Sequence, residues 1–221
     1  MTKAAAPFEG SPWRDAAILA ETNAPYLKRL MHRREDLLVG IDAEWPERLL
    51  REAITQADAV AADPPDIETA MRVLRRAKDA THLATAIADI GRAWPLERVT
   101  AALTDFADAA LRASLAVAGK ELAARGVISD PSAPGFALIA MGKMGAGELN
   151  YSSDIDFSAF FDAETFPARE PRVGAVRLVA PLVRVLEEVT PDGYVFRTDL
   201  RLRPDPGSTP VAASIASAEH Y

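Results

Sequence analysis

The sequence predicts an α+β fold, with a helical bundle over residues 1–132 followed by a smaller mixed sheet with helices over residues 133–221. Three observations carry that expectation. Up to residue 132, apolar side chains recur at three- and four-residue steps, the period of helices packed on one another. The turn-rich segment Ser129-Asp130-Pro131-Ser132-Ala133-Pro134-Gly135 then interrupts the pattern. Beyond it, apolar runs shorten to strand length and a two-residue alternation appears.

In chain order, short helices are expected over residues 13–38 and 46–61, with Asp63-Pro64-Pro65 as the break after them. Residues 67–90 place Met71, Leu74, Ala77, Leu83, Ala84, Ile87 and Ile90 on one helical stripe. Residues 96–125 are rich in alanine and leucine, contain no internal proline, and end at Gly126, a helix-terminating glycine. Phe136 to Met141 is a short continuous apolar run, expected to be a buried strand. Gly142 to Gly147 is expected to be a tight turn, and Asp154 to Phe161 the second strand. Residues 171–189 read as a helix with Val176, Val179, Leu182, Val183 and Leu186 on one face. Pro191-Asp192-Gly193 is a turn, and Tyr194 to Arg203 is expected to be the third strand.

Composition narrows the function. Half of the 221 residues are hydrophobic (49%), so the chain can bury a substantial core. No apolar run is long enough to span a bilayer, and the N-terminus lacks the basic-then-apolar pattern of a secretory signal. The absence of cysteine excludes disulfides, thiolate metal sites and cysteine nucleophiles, and fits a reducing cytoplasm. A net charge of -7 argues against non-specific nucleic-acid binding, which needs a basic surface.

The chemistry concentrates in Glu148-Leu149-Asn150-Tyr151-Ser152-Ser153-Asp154-Ile155-Asp156-Phe157. Asp154 and Asp156 are two apart and would leave a strand on the same face, with Ile155 and Phe157 turned to the core. Adjacent carboxylates repel unless a cation lies between them, and all-oxygen sites suit Mg²⁺ or Mn²⁺. On the third strand Arg197, Asp199, Arg201 and Arg203 alternate onto one face. If that strand lies beside the second, Asp199 joins Asp154 and Asp156, the three carboxylates can hold two divalent ions, and Arg201 and Arg203 flank them with forks suited to phosphate. That is equipment for transfer of a phosphoryl or nucleotidyl group. Taken alone, an Asp-x-Asp pair is also what the solvated face of an edge strand looks like; the neighbouring glycine turn and the third aspartate favour a site.

Gly142-Lys143-Met144-Gly145-Ala146-Gly147 matches neither a dinucleotide fingerprint nor a Walker loop. It is either a plain turn or a backbone cradle for phosphate, with Gly142 and Gly145 shaping it and Lys143 adding charge. Ser152 and Ser153 either donate to phosphate or shape the turn. Glu148 and Asn150 either cap a short helix or orient the aspartates. His32, His82 and His220 have no metal-ligand spacing and read as surface or helix-packing residues. A phosphatase of the haloacid dehalogenase type is disfavoured, because the residues before Asp154 are polar and turn-like where that chemistry needs an apolar strand.

The run from Met141 to Asp156 resembles the signature of the bifunctional glutamine synthetase adenylyltransferase/adenylyl-removing enzymes, and Asp199-Leu200-Arg201-Leu202-Arg203-Pro204 looks like that family's second signature. Ile87 to Ile90 and Phe106 to Leu111 are similar to the region preceding the first signature. The resemblance implies a nucleotidyltransferase fold related to DNA polymerase β, with Asp154, Asp156 and Asp199 as catalytic metal ligands for Mg²⁺ or Mn²⁺. It implies nucleotide or phosphate contacts at Gly142, Lys143, Gly145, Ser153, Arg201 and Arg203. Ala146, where glycine is more usual, and Met144, where leucine is common, are mild departures. Family members carry two such units. The form Gly-Glu-Leu-Asn-x-Ser-Ser-Asp-Ile-Asp looks like the N-terminal copy, associated with removing AMP from a tyrosine of glutamine synthetase by phosphorolysis that yields ADP. The other copy adds AMP from ATP. A non-catalytic nucleotide-binding module is the further alternative. On this resemblance the chain is expected to be an adenylyl-removing unit cut short after its third carboxylate and weak or inactive on its own, with glutamine synthetase, ATP or ADP, phosphate and the nitrogen-signalling PII protein as partners, no nucleic acid or membrane, and a cytoplasmic setting.

Overall fold

In the computed structural model, which describes residues 5–202 and 209–219, five helices come first: α1 (Arg14–Asn23), α2 (Pro25–Arg33), α3 (Trp45–Ala62), α4 (Ile67–Ile90) and α5 (Leu96–Ala124). The single helical region expected over residues 13–38 is divided. Pro25 disfavours a helical conformation at Ala24, which is extended (φ -120°, ψ 92°), so α1 stops and α2 starts with proline at its first position. A 3₁₀ turn, Glu35–Leu37, completes that stretch. The Asp66 side chain caps α4, accepting from the Thr69 N–H at 2.8 Å. Gly126, in the left-handed region at φ +66°, ends α5 as the sequence suggests.

The mixed part follows as β1 (Phe136–Ala140), the one-turn helix α6 (Gly142–Gly145), β2 (Ile155–Phe161), α7 (Pro171–Glu187), β3 (Thr198–Asp199), β4 (Ala212–Ser214) and α8 (Ile215–Ala218). β2 is central: β1 runs antiparallel along one side of it, while β3 and then β4 run parallel to its first and last residues. β2 is buried at Ile155, Phe157, Ala159 and Phe161, the alternation of a strand with one core face. One hydrophobic cluster runs from the helices into the sheet, and Phe106 of α5 meets Phe196 with ring centroids 5.9 Å apart. No helix among the described residues is long and apolar enough to cross a membrane.

Three expectations need correction. β1 pairs only with β2, so it is an edge strand that exposes Ala137 and Ile139 instead of a strand buried on both faces. The segment from Gly142 begins as a helical turn and not as a simple tight turn. The third strand is two residues long. The backbone N–H groups of Val195 and Phe196 bond to the Leu186 carbonyl at the end of α7, and the Arg201 N–H turns back to the Asp199 carboxylate at 2.8 Å, so neither side can extend the ladder. Arg203 and His220 lie outside the described residues. The sequence reading also missed β4, because Val211-Ala212-Ala213-Ser214 is too short and weakly apolar to announce a strand.

Candidate active site

The start of β2 gathers the predicted groups. Asp156 sits opposite Asp199 in the parallel register β2–β3, which puts the two side chains on one face. Asp154 lies two residues earlier, on the same side. The Asp156 carboxyl is pushed above the usual carboxylate range, first by burial and then by the negative charge of Asp199 and Asp154, with Lys143 and Arg201 opposing. These five side chains therefore share one electrostatic environment. Asp199 is held low, down to about 2, chiefly by Arg201, whose Nε and Nη2 bond its carboxylate at 3.0 and 2.6 Å.

The glycine turn explains how close the backbone comes. Gly142 has φ +54°, and a Cβ there would run into the Asp156 carboxylate. The Met141 N–H donates to the Asp156 carbonyl at 2.8 Å, locking the turn to β2. A Cβ on Gly145 would come 2.6 Å from the Ala140 carbonyl oxygen. Lys143 reaches across the turn, its Nζ 3.4 Å from the Ser153 hydroxyl. Ser153 in turn donates to Asn150 Oδ1 at 2.8 Å, and the Ser152 N–H donates to the same oxygen at 3.2 Å. Asn150 thus shapes the loop before the aspartates. The Leu149 N–H is tied to the Thr104 hydroxyl of α5 at 3.3 Å, so the helical part anchors the loop.

Arg197 is the residue the sequence placed on the right face without assigning it to the site. Its Nε contacts Asp154 Oδ1 at 2.5 Å and its Nη2 donates to the Ser152 carbonyl at 2.9 Å. Its alternation with Asp199 and Arg201 was the available signal. Arg201 is where it was expected, beside the carboxylates, but most of its side chain faces solvent.

The donor set is entirely hard oxygen, which suits a divalent cation of the Mg²⁺ type. The Asp156 carboxyl is raised first by burial and then by the charge of Asp199 and Asp154, and a bound cation would offset that second contribution. Among the described residues, however, the three carboxylates do not converge as a ready-made cluster of metal ligands. Arg197 holds Asp154 and Arg201 holds Asp199, so cation binding at all three requires these arginines to give way.

Carboxylates, a lysine and arginines gathered at the start of one strand, beside a glycine turn, equip an α+β chain to handle phosphate groups. The chain belongs to the glutamate-ammonia ligase adenylyltransferase family, whose model matches residues 16–221. It is 50% identical over 207 residues to the bifunctional glutamine synthetase adenylyltransferase/adenylyl-removing enzyme of Caulobacter vibrioides, covering 90% of this chain and 21% of that protein. The enzymes of the same name from Bradyrhizobium diazoefficiens (45% over 207 residues) and Rhodopseudomonas palustris strain HaA2 (46% over 210 residues) are covered to the same extents. The chain therefore spans about a fifth of the length of these curated relatives. The resemblance seen in the sequence is borne out.

Proposed function

We propose that this chain removes AMP from an adenylylated tyrosine of glutamine synthetase by phosphorolysis, releasing ADP. The observation that carries the proposal is the β2–β3 register, which sets Asp156 beside Asp199, with Asp154 and Lys143 contributing to the same field. The direction rests on the form of Gly147-Glu148-Leu149-Asn150-Tyr151-Ser152-Ser153-Asp154-Ile155-Asp156, which resembles the N-terminal unit of the family. The nitrogen-signalling PII protein as a partner and a cytoplasmic setting follow from the same resemblance.

An oxygen of inorganic phosphate attacks the α-phosphorus of the AMP-tyrosine ester. The bond from that phosphorus to the phenolic oxygen breaks, its electron pair stays on the tyrosinate, and the tyrosinate takes up a proton. The new phosphoanhydride is ADP. Asp154, Asp156 and Asp199 would hold Mg²⁺ or Mn²⁺, two ions on the full expectation, and such ions supply polarisation of phosphoryl oxygens when bound. Lys143, and Arg201 once released from Asp199, neutralise charge on the phosphate oxygens. Gly142 and Gly145 let the turn pack closely against Asp156 and the end of β1, and Ser153 offers a hydroxyl beside Lys143.

The test is product identity. Incubated with adenylylated glutamine synthetase, Mg²⁺ and phosphate, the chain should give ADP as its product, even at a low rate. AMP as product would mean hydrolysis. ATP formed with pyrophosphate, with phosphate ignored, would assign the chain to the adding direction and overturn the proposal.

A further inference from the structure

Beside the Tyr151–Ser152 segment, α4 looks into a cavity of about 660 Å³. The α1–α2 junction closes it at Tyr26, and the turn at Asp192–Tyr194 forms another wall. The lining is mainly apolar and aromatic, with a few convergent polar groups, the usual make-up of a small-molecule site.

Two polar groups in it lack the partners their positions call for. His82 is 5% exposed. One ring nitrogen, Nδ1, lies 3.1 Å from the Tyr26 hydroxyl, and among the described residues Nε2 makes no hydrogen bond. Burial, with the nearby Lys78 charge, drives its pKa down to about 3, so the ring is neutral and can donate or accept according to tautomer. Lys78 makes no ion pair with a described carboxylate. Its neighbour Asp79 is taken by Arg33 and Arg34. The Lys78 ammonium donates to the Tyr194 carbonyl at 3.0 Å and lies 4.3 Å from the centre of the Tyr194 ring. Burial lowers its pKa to about 8, which still leaves it mostly protonated at neutral pH. Of the other acids on the lining, Asp89 accepts from the Tyr151 hydroxyl at 3.3 Å, and Asp192 stands at the turn. Tyr26, His82 and Tyr151 stand edge to face in a row, each step 6.0 Å between ring centroids, forming an aromatic wall of alternately turned rings.

We propose that this cavity is a second binding site, for a planar aromatic ring that carries a phosphate or carboxylate group. The ring packs on the aromatic wall, the anion meets the Lys78 ammonium, and His82 Nε2 completes a hydrogen bond. A nucleotide and an aryl phosphate share this chemistry. The site stands on its own geometry and does not rest on the phosphorolysis proposal. It is nevertheless joined to the carboxylates, because Arg197 bonds both the Ser152 carbonyl on the cavity wall and Asp154.

The experiment titrates the whole 221-residue chain, in EDTA, with AMP, phenyl phosphate and inorganic phosphate separately. EDTA removes metal-dependent binding at the carboxylates. Binding is read by calorimetry and by the His82 Cε1 resonance, identified by its absence from the spectrum of His82→Gln. AMP or phenyl phosphate should bind and move this resonance, while inorganic phosphate should not. Binding of AMP alone identifies a nucleotide site, and binding of both shows that any ring-bearing phosphate suffices. Lys78→Met should weaken the binding about 10-fold or more, the loss of one charge-assisted hydrogen bond. Asp156→Asn should leave it unchanged. The proposal is overturned if neither ring-bearing anion binds better than inorganic phosphate, if the His82 resonance stays fixed in the wild-type chain, or if Asp156→Asn and not Lys78→Met abolishes binding. Absence of ADP release from adenylylated glutamine synthetase, with binding intact, would overturn the functional proposal and leave this one standing.

Discussion

Replacing Arg75 by methionine tests how the helical part holds the site. Arg75 is fully buried on α4, yet its guanidinium makes no ion pair among the described residues. It donates instead to four carbonyls: Met71 at 2.9 Å within α4, Val185 at 3.1 Å in the last turn of α7, Glu188 just beyond that helix, and Gly193 at 2.7 Å in the turn before β3. The last carbonyls of a helix have no partners of their own, so Arg75 acts as a C-terminal cap supplied from another element. Methionine fills similar volume and removes all these donors. The Val185 carbonyl is buried and would lose about 1–3 kcal/mol; the partly buried Glu188 and Gly193 carbonyls would lose about 1 kcal/mol each, water replacing the rest. Removing a desolvated cation returns part of that. A net loss of about 3 kcal/mol corresponds to a fall in Tm of about 6–12 °C for a chain of this size. Thermal unfolding followed by circular dichroism measures it. Arg75→Lys keeps the charge without the fork and should recover only part of the loss. A Tm for Arg75→Met within about 1 °C of wild type would refute the capping argument.

Three other outcomes follow from the same geometry. Asp156→Asn removes one charge from a repelling group of carboxylates, so it should raise the Tm of the chain in EDTA at neutral pH while lowering Mn²⁺ affinity, measured by water-proton relaxation; a lower Tm with unchanged Mn²⁺ affinity would contradict the site. Gly142→Ala forces a Cβ into a left-handed turn against Asp156, costing about 1–2 kcal/mol in chemical denaturation and, because the turn shapes the site, more in the rate of ADP release than in stability. His82 has a folded pKa near 3 against 6.5 when free, so the unfolded chain takes up a proton that the folded chain refuses. Its stabilising contribution is complete above pH 6.5 and is lost as pH falls, by about 2 kcal/mol at pH 5; His82→Gln should flatten this part of the stability profile even though it lowers stability overall.

The long helices were legible because their stripes are long. Ile67–Ile90 coincides with the expected span, since a 3.6-residue pattern repeated over many turns leaves few registers open. β2 was legible for a similar reason, with Ile155, Phe157, Ala159 and Phe161 all turned inward. The third strand was over-read because alternation of charge along Arg197, Asp199 and Arg201 persists although only two residues pair; the competing bonds come from Leu186 and from the Asp199 side chain, which are long-range or side-chain events that periodicity does not encode. That Asp154, Asp156, Lys143 and Asp199 lie together was legible because their spacing is local to two short motifs. The salt links from Arg197 to Asp154 and from Arg201 to Asp199 were not, because which of two neighbouring acids an arginine chooses depends on the folded register. His82 reads in the sequence as a surface or helix-packing histidine, and its neighbourhood contains nothing that announces the cavity, whose other walls come from residues 26, 151 and 194.

α4 is where these strands of the structure meet. Arg75, Lys78 and His82 follow one another at three- and four-residue spacing and so share a face, and that face is turned towards the mixed part. Each does a different job there: Arg75 caps α7 and holds the turn that leads into β3, Lys78 fixes the Tyr194 carbonyl in the same turn, and His82 packs beside Tyr151 in the loop that leads into β2. Asp156 and Asp199 lie at the far ends of those two connections. A shift of α4 would therefore move the approach to both strands at once, and the register that pairs Asp156 with Asp199 is two residues long and has little to resist it. A ligand that bridges Lys78 and the Tyr26–His82–Tyr151 wall would bind across this junction and stiffen it. Arg197, bound to the Ser152 carbonyl on one side and to Asp154 on the other, is a direct physical link between the cavity wall and the carboxylates.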